Sequence, residues 1–333
     1  MDRPYVERLH LEECGCVRDV HLRLTPLHAL IGPNDSGKTT ILRAIQAIAD
    51  QVHARAPRRD ARYRGARVTF GWGDTEAAFL PATANVAGVR EGANILNIDL
   101  SDERTPDVLA SVRGSTFVRW DPDEICAAAR PIPEHQAFQL GERGRGMPAA
   151  YEALLSRDRD AFAAIEAKVH ELFPSVRRIW LPTTSQSEKQ LGVELIDGTK
   201  VPGDQLSEGL VYWLAFAILP YAQPRPLLLI EEPENGLHPS RIAEVMRVLR
   251  EVAKTTQILI ATHSPLVINE LAPEEVTLLT RDLDRGTIAT PIAETTAFRA
   301  REKVYALGEL WLSFADGLNE SALVDPAKRP TGT

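Results

Sequence analysis

A glycine-rich segment near the start of the chain has the residue types and spacing of a phosphate-binding loop. Residues 32–40 read GPNDSGKTT. Glycines let such a loop curl until its backbone N–H groups point at an anion. The Lys38 ammonium suits β- and γ-phosphates, and the Thr39 hydroxyl suits Mg²⁺. The pattern therefore predicts an ATP site with Mg²⁺ as cofactor. Its contributing residues are Gly32, Asn34, Asp35, Ser36, Gly37, Lys38, Thr39 and Thr40.

Two adjacent acids follow an apolar run in the second half of the chain. Residues 226–239 read PLLLIEEPENGLHP, and the run LLLI predicts a buried strand. At the end of such a strand, Glu231 can hold Mg²⁺ through water. Glu232 can orient and deprotonate an attacking water. The alternative is a surface turn with chance acids, which four apolar residues directly before it disfavour.

A histidine and a serine–glycine segment complete the candidate site. His263 follows the apolar run 257–261, the next predicted strand after the acids, and can sense a γ-phosphate. The alternative is a structural histidine. Ser207, Glu208 and Gly209 open a predicted buried helix, whose N-terminus can bind a phosphate. A plain serine N-cap remains the alternative there.

Alternating strands and helices must position these residues. Alternation predicts a strand over 17–24 and an apolar strand over Leu27–Ile31, preceded by an edge hairpin. Helical spacing follows over 39–52, with Ile41, Ile45 and Ile48 on the buried face. Helices are also predicted over 148–173, with a break near Ser156, over 209–219 and over 240–253. A tight turn is predicted at Asp197-Gly198. The fold class is α/β, with a mostly parallel core sheet flanked by helices.

The same patterns predict five segments. Residues 1–54 form an N-terminal lobe with the phosphate loop, and 55–120 a variable insert. Residues 121–200 form a helical insert with a hairpin, 201–325 a C-terminal lobe, and 326–333 a disordered tail. The arginine-rich stretch 53–67 is a candidate nucleic-acid contact, against the alternative of a solvated loop. Its candidate residues are Arg55, Arg58, Arg59, Arg62 and Arg64.

Composition bounds the class of protein. The chain has 333 residues, 44% hydrophobic and 25% charged, with a formal net charge of −8. These values are ordinary for a globular protein and argue against an overall basic coat. Neither a membrane span nor a signal peptide is visible, so we expect a cytoplasmic protein without a membrane partner. Cys14, Cys16 and Cys126 are too few for a disulfide framework and are expected to be reduced core thiols.

The segments GPNDSGKTT, LSEG, LLLIEEPENGLHP and ATHSP resemble, in order and spacing, four motifs of ABC-type ATPases: Walker A, signature, Walker B with D-loop, and switch histidine. The opening residues 6–31 resemble the RecF, SMC and overcoming-lysogenization-defect branch. The segments STFVRWDPDEI and ELFPSVRRI are similar to bacterial predicted ATPases without coiled-coil arms. This resemblance implies an ABC-ATPase head with an N-terminal antiparallel β element.

The resemblance also implies a head-to-tail homodimer held together by ATP, alone or within a higher assembly. Ser207 and Gly209 of one protomer would bind the γ-phosphate held by Lys38 of the other. Asn235 and Gly236 would form the D-loop between the two sites. The chain departs from the family pattern at Glu231, where aspartate is usual, and at Glu208, where a small residue is usual. No Q-loop glutamine is identified, and these departures predict slow hydrolysis.

Three functions are compatible with the sequence. The first is a nucleotide switch in a nucleic-acid transaction, phage or plasmid defence or DNA repair, working with a separate effector protein and in contact with DNA. The second is a regulatory ATPase that controls a protein partner without nucleic acid. The third, a transporter subunit, is disfavoured because no surface for a membrane partner is visible. A metal-binding nuclease domain has little room after His263. We read Asp282 and Asp284 as a solvated turn.

Overall fold

The computed structural model describes residues 5–52, 66–73, 75–80, 94–96, 112, 114–139, 141–185, 187–295 and 308. They fall into two compact units. The first comprises the described residues within Met1–Phe117, Arg225–Pro233 and Ala253–Thr333, and the second comprises those within Val118–Pro224 and Glu234–Val252. The candidate contacts Arg55, Arg58, Arg59, Arg62 and Arg64 and the tail 326–333 lie outside the described residues.

The described residues contain sixteen strands and seven α-helices. The strands are β1 (Arg8–Cys14), β2 (Val17–Arg23), β3 (Leu27–Ile31), β4 (Arg67–Trp72), β5 (Thr75–Leu80), β6 (Asn94–Leu96), β7 (Thr116–Val118), β8 (Val176–Trp180), β9 (Thr183–Ser185), β10 (Glu188–Lys189), β11 (Gly192–Leu195), β12 (Lys200–Pro202), β13 (Leu227–Glu231), β14 (Gln257–Thr262), β15 (Val276–Asp282) and β16 (Gly286–Pro291). The helices are α1 (Lys38–Val52), α2 (Pro122–Cys126), α3 (Met147–Arg157), α4 (Arg159–Leu172), α5 (Glu208–Ala217), α6 (Pro239–Val252) and α7 (Pro265–Asn269).

The first unit is built on two sheets. A six-stranded sheet has the order β16-β15-β3-β14-β13-β7, and its four inner strands are parallel to one another. Val118, the last residue of β7, is the first residue of the second unit. A five-stranded antiparallel sheet has the order β2-β1-β4-β5-β6. The predicted α/β class, N-terminal antiparallel element and mostly parallel core sheet are therefore confirmed.

Helix α1 lies in the core of this unit. It contacts β1 and β4 of the five-stranded sheet and β14 of the six-stranded sheet. Ile41, Ile45 and Ile48 are all fully buried, as their helical spacing predicts. Burying this apolar face fixes the start of α1, and with it the position of Lys38, relative to the strand ends.

The second unit carries the helical segment and two small sheets. Helices α3 and α4 meet at Asp158, whose carboxylate accepts a hydrogen bond from the backbone N–H of Ala161 and caps α4. The predicted break near Ser156 is therefore confirmed, and the Asp158 cap sets where the second helix begins. Strand β11 pairs with β8 and, around the predicted Asp197-Gly198 turn, with β12.

Two further sequence expectations concern side chains. All three cysteines are free, and Cys14 and Cys126 are buried, whereas Cys16 is partly exposed and so is not a core thiol. Asp282 and Asp284 lie at the turn between β15 and β16, where the Asp282 carboxylate accepts hydrogen bonds from the backbone N–H groups of Asp284 and Arg285. The predicted turn is confirmed.

Candidate functional site

The parallel strands of the six-stranded sheet end together at one edge. Ile31, the last residue of β3, pairs with Thr262 at the end of β14, and Glu231 at the end of β13 pairs with Ala261. Polar residues that follow these strands therefore lie next to the loop between β3 and α1. This is the edge at which open α/β sheets bind their ligands.

The loop between β3 and α1 adopts a conformation that requires glycine at both of its ends. Gly32 has φ of 154° and Gly37 has φ of 103°. A Cβ at Gly32 would overlap the carbonyl oxygen of Leu279, and a Cβ at Gly37 would lie 2.6 Å from the Thr287 hydroxyl. Asp35 also has a positive φ, 66°. The curled path predicted from the glycine spacing is present.

Lys38 is folded back over the loop. Its side-chain nitrogen donates hydrogen bonds to the carbonyl oxygens of Gly32, at 2.6 Å, and Pro33, at 2.7 Å. The residue is only 8% exposed. The ammonium is therefore held directly at the loop whose backbone N–H groups the sequence assigns to phosphates.

The hairpin of β15 and β16 supports the loop, a role that the sequence did not reveal. The Thr287 hydroxyl donates to the backbone oxygen of Ser36 at 2.9 Å, and the Thr287 N–H donates to that of Cys16 at 3.0 Å. Arg281 reaches the carbonyl oxygen of Asp35 at 3.5 Å. A threonine at the start of a strand after a tight turn carries no recognisable sequence signal, so only the tertiary structure identifies it.

Ser36 has an unusual side chain in the middle of the loop. It is completely buried, and its hydroxyl has no hydrogen-bond partner among the described residues. Buried hydroxyl groups normally have a hydrogen-bond partner, because a buried hydroxyl group without one costs about 1–3 kcal/mol. The loop thus holds a polar atom whose hydrogen-bonding capacity is not used by any residue that the structure describes.

Thr39 and Glu231 are brought together although 192 positions of the chain separate them. The Thr39 hydroxyl donates a hydrogen bond to a Glu231 carboxylate oxygen. Hydroxyl and carboxylate oxygens are the ligand types that Mg²⁺ prefers in proteins. The two residues that the sequence assigned to metal binding therefore form a single group of oxygen donors.

Glu232 and His263 form the second pair at this edge. The Glu232 carboxylate lies 3.3 Å from Nδ1 of His263, and the Glu232 N–H donates to the Ala261 carbonyl oxygen at 2.8 Å. Glu232 has φ of 49°, a left-handed conformation that is uncommon outside glycine. This backbone turn separates the directions of the two consecutive acids, so that Glu231 contacts Thr39 while Glu232 contacts the histidine.

The remaining candidate residues lie in the second unit. Ser207 occupies the N-cap position of α5, and within the described range 187–295 its hydroxyl makes no capping hydrogen bond to that helix. A Cβ at Gly209 would lie 3.4 Å from the Gly236 carbonyl oxygen, so the LSEG and D-loop segments are neighbours. Gly236 has φ of 70°, and a Cβ there would overlap the Tyr212 ring.

Tyr212 links these two segments and remains a neutral phenol. Burial, and then the negative charge of Glu208, raise the pKa of its hydroxyl. Its ring covers Gly236, and its hydroxyl lies 3.5 Å from the carbonyl oxygen of Trp120. Tyr212 carries no functional signal in the sequence, because an aromatic residue in an apolar helix is typical of an ordinary core residue.

Comparison with protein families gives two matches. Residues 98–269, more than half of the chain, match the family described as "AAA domain, putative AbiEii toxin, Type IV TA system". Residues 8–111 match a family described as "AAA domain". Between them, the two matches include the loop at Gly32, the acids at Glu231 and Glu232, and His263.

Comparison with individual proteins agrees with the family matches. An OLD nuclease from Thermus scotoductus (strain ATCC 700910 / SA-01) is 22% identical over 344 residues, covering 87% of this chain and 64% of the relative. The chain thus spans less than two thirds of that relative's length.

Two solved structures are similar to the chain. An SMC head bound to the C-winged helix domain of ScpA has a TM-score of 0.57 and 14% identity, covering 86% of this chain and 97% of that one. The SMC head domain from Thermotoga maritima has a TM-score of 0.46 and 15% identity, covering 86% and 98%. The first structure shows that the fold is that of an SMC head.

The helices that the structure describes are too short or too polar to span a membrane.

Proposed function

The chain belongs to the AAA-domain family described as "putative AbiEii toxin, Type IV TA system", and on this basis we propose that it hydrolyses ATP slowly as a dimerising nucleotide switch. It is an ABC-type ATPase of the OLD and SMC kind. The switch acts in a nucleic-acid transaction, in defence against phage and plasmids or in DNA repair, and a separate effector protein acts with it.

The juxtaposition of two polar pairs at one sheet edge carries this proposal. Thr39 contacts Glu231, and Glu232 contacts His263, beside the loop that holds Lys38. Phosphoryl transfer needs a phosphate cradle, a cluster of metal ligands and a group that orients water. In this arrangement Glu232 accepts a proton from the attacking water. His263 lies at hydrogen-bonding distance from that carboxylate. The histidine orients the carboxylate and senses the γ-phosphate.

Lys38 binds phosphate by exchanging partners. Its ammonium donates to the Gly32 and Pro33 carbonyl oxygens, and phosphate oxygens are stronger acceptors because they carry charge. The ammonium therefore moves from the loop to the β- and γ-phosphates. The Ser36 hydroxyl, which is buried without a partner among the described residues, is available for a further hydrogen bond when nucleotide fills the loop.

The residues at Thr39 and Glu231 fit Mg²⁺. Both offer hard oxygen ligands, and their mutual contact shows that they reach a common point. When bound there, Mg²⁺ neutralises the charge on the β- and γ-phosphates. Glutamate has one methylene more than the usual aspartate and reaches further from the strand end, which is compatible with holding the ion through water.

The second unit supplies the in-trans contacts of the proposed dimer. Ser207 is not used as a helix cap within the described range 187–295, so its hydroxyl and the N-terminus of α5 are available to a γ-phosphate held by the partner protomer. Gly209 and Gly236 are neighbours, so one protomer presents the signature and the D-loop Asn235-Gly236 together. Head-to-tail pairing places both at the partner's site.

Three observations favour a nucleic-acid transaction. The family description names a toxin of a type IV toxin–antitoxin system, and the curated relative is called an OLD nuclease. The sequence adds five arginines within residues 55–64 that can contact phosphates. The second candidate, a regulator of a protein partner, is supported by the SMC head that was solved with a domain of ScpA bound.

Steady-state ATP turnover with and without polynucleotides tests the proposal. Wild type and Glu232→Gln are each assayed alone and with duplex DNA, single-stranded DNA and RNA. We expect wild-type turnover to rise with one polymer. The rise should disappear when Arg55, Arg58, Arg59, Arg62 and Arg64 are changed to glutamine, while basal turnover is retained.

Turnover that rises with none of the three polymers favours the protein-partner function. Turnover no higher than that of Lys38→Ala contradicts the assignment of ATP hydrolysis altogether. The two outcomes separate the enzymatic part of the proposal from its biological part.

A further inference from the structure

A second group of ligand-type side chains lies on the hairpin of β1 and β2, outside the nucleotide site. His10 and His21 are directly opposite each other in the antiparallel pairing, and Glu12 is opposite Asp19. Residues two apart on a strand share a face, so all four side chains project from the same face of the sheet. The residues between them, Leu11 and Val20, are buried. Their burial fixes the register that holds the four polar side chains together.

One carboxylate oxygen joins the two histidines. Oδ1 of Asp19 lies 2.7 Å from Nε2 of His10 and 3.5 Å from Nε2 of His21. A tetrahedral zinc ion with bonds of about 2.0–2.1 Å separates its ligand atoms by about 3.3 Å. The observed distances bracket this value. Among the described residues, His10, Asp19 and His21 form the group of three whose ligand atoms all lie within 4.8 Å of one another.

The two imidazole rings are stacked beside the Asp19 carboxylate. The ring centroids are 3.8 Å apart and the ring planes differ by 12°. Two imidazolium cations at that separation would repel each other. Nε2 of His10 lies at hydrogen-bond distance, 2.7 Å, from Oδ1 of Asp19, so a bound cation would take the place of the proton between these two atoms. The ring planes are nearly parallel, so binding one ion requires the two rings to tilt until their Nε2 lone pairs converge beside Oδ1.

We propose that His10, Asp19 and His21 form a binding site for Zn²⁺. Two imidazoles and one carboxylate suit zinc and differ from the all-oxygen sets that suit Mg²⁺ and Ca²⁺. Three protein ligands leave a fourth position for water or for a donor from another molecule. Glu12, whose carboxylate lies 4.0 Å from Nδ1 of His10, adds negative charge on the other side of that ring. The bound ion ties β1 to the edge strand β2.

Calorimetric titration of the metal-free, full-length chain with Zn²⁺ tests the site. We expect one high-affinity ion per chain. Loss of an outer-sphere partner costs about 10–100-fold in metal affinity. Because His21→Asn and Asp19→Asn each remove a direct ligand, each should weaken zinc binding by more than about 100-fold. Asp19 and His21 have side chains 71% and 73% exposed, so both variants should keep the fold, which thermal unfolding without metal checks.

Two controls separate this site from other histidines. His135→Asn, which removes an exposed histidine of the second unit, should leave the affinity unchanged. His263→Asn should do the same, because it alters the nucleotide site alone. Zinc affinity that survives the double change His10→Asn with His21→Asn, or that is lost in His263→Asn, overturns the proposal. A four-coordinate Co²⁺ spectrum that vanishes in Asp19→Asn supports it.

Discussion

The Thr39 hydroxyl donates a hydrogen bond to the Glu231 carboxylate, joining the first turn of α1 to the end of β13. The pairing of β13 with β14, and of β14 with β3, brings these two ends to the same edge of the sheet. The contact thus depends on the parallel order of three strands. It positions a hydroxyl and a carboxylate where a divalent ion would meet the phosphates above the loop.

Changing Glu231 should weaken the dependence of ATP binding on Mg²⁺. Glu231→Gln keeps the size of the side chain but removes the charge. We therefore expect the factor by which Mg²⁺ raises ATP affinity to be at least about tenfold smaller than in wild type. Glu231→Asp restores the charge and should recover part of the effect. Equilibrium binding of a fluorescent ATP analogue, with Mg²⁺ and with EDTA, measures this. Equal enhancement in wild type and Glu231→Gln would exclude Glu231 as a metal ligand.

Changing Glu232 should separate ATP binding from hydrolysis. Glu232→Gln cannot accept a proton, and general-base catalysis contributes about 10²–10⁴-fold, so we expect turnover to fall by at least about 100-fold with ATP affinity retained. The unhydrolysed ATP should then trap a dimer, visible by light scattering after size-exclusion chromatography. Lys38→Ala, which removes the phosphate ligand, is the control and should stay monomeric. A Glu232→Gln protein that remains monomeric with ATP at micromolar concentration argues against the ATP-held dimer.

The curled loop at Gly32 and the position of the acids at a strand end could be predicted from the sequence because both depend on local spacing. Gly32, Gly37 and Lys38 are fixed relative to each other by a few backbone bonds, and Glu231 is fixed by the strand that precedes it. The same holds for the buried face of α1, whose Ile41, Ile45 and Ile48 recur at the helical period. Local patterns of this kind can be identified without knowledge of the tertiary structure.

Long-range support could not be recognised in this way. Thr287 reaches Ser36 across 251 positions of the chain, and Tyr212 covers Gly236 only because α5 carries its ring there. The register between two strands cannot be predicted from one sequence either, so the pairing of His10 with His21 is seen only in the folded hairpin. The exact position of the helix break, predicted near Ser156 and observed at Asp158, likewise depends on a capping hydrogen bond.

Mixing two inactive variants should test whether each site uses two chains. Lys38→Ala disables the phosphate loop, and Ser207→Arg blocks the signature end of α5. A heterodimer of the two has one site with both halves intact, so we expect about a quarter of wild-type turnover from an equal mixture under random pairing and half-site activity. Turnover is measured by phosphate release after cross-linking has shown that heterodimers form. Heterodimers without recovered activity would mean that each site works within one chain.

Thr287 should matter for ATP binding although it contacts no nucleotide in the proposed mechanism. Thr287→Val keeps the shape of the side chain but removes the hydroxyl that donates to the Ser36 carbonyl oxygen, a net loss of about 1 kcal/mol. We expect the free energy of unfolding to fall by about that amount and ATP affinity to fall several-fold. Thr290→Val on the same strand is the matched control. Equal ATP affinity in both variants would show that the β15–β16 hairpin does not support the loop.

His28 should make the folded state sensitive to acid. It lies in β3, 2% exposed, and burial lowers its pKa to about 4, with the nearby charge of Glu275 opposing the shift. The Thr25 hydroxyl donates to the Leu27 carbonyl oxygen at 2.6 Å and so accepts from Nδ1 of His28 at 3.2 Å. Nε2 then accepts from Thr277 at 2.9 Å, which describes a neutral ring.

The unfolded chain binds a proton at His28 near pH 6.5, whereas the folded chain resists protonation until about pH 4. Stability from this group is therefore complete above pH 6.5 and is lost as the pH falls, by about 3 kcal/mol at pH 4. Urea unfolding between pH 7 and pH 4 measures the loss. His28→Gln, which can keep a hydrogen bond but does not titrate, should show a shallower slope than wild type. His135→Gln, which changes an exposed histidine, is the control and should keep the wild-type slope. Parallel slopes for wild type and His28→Gln would mean that His28 is not the titrating group, and that acid sensitivity arises from the carboxylates instead.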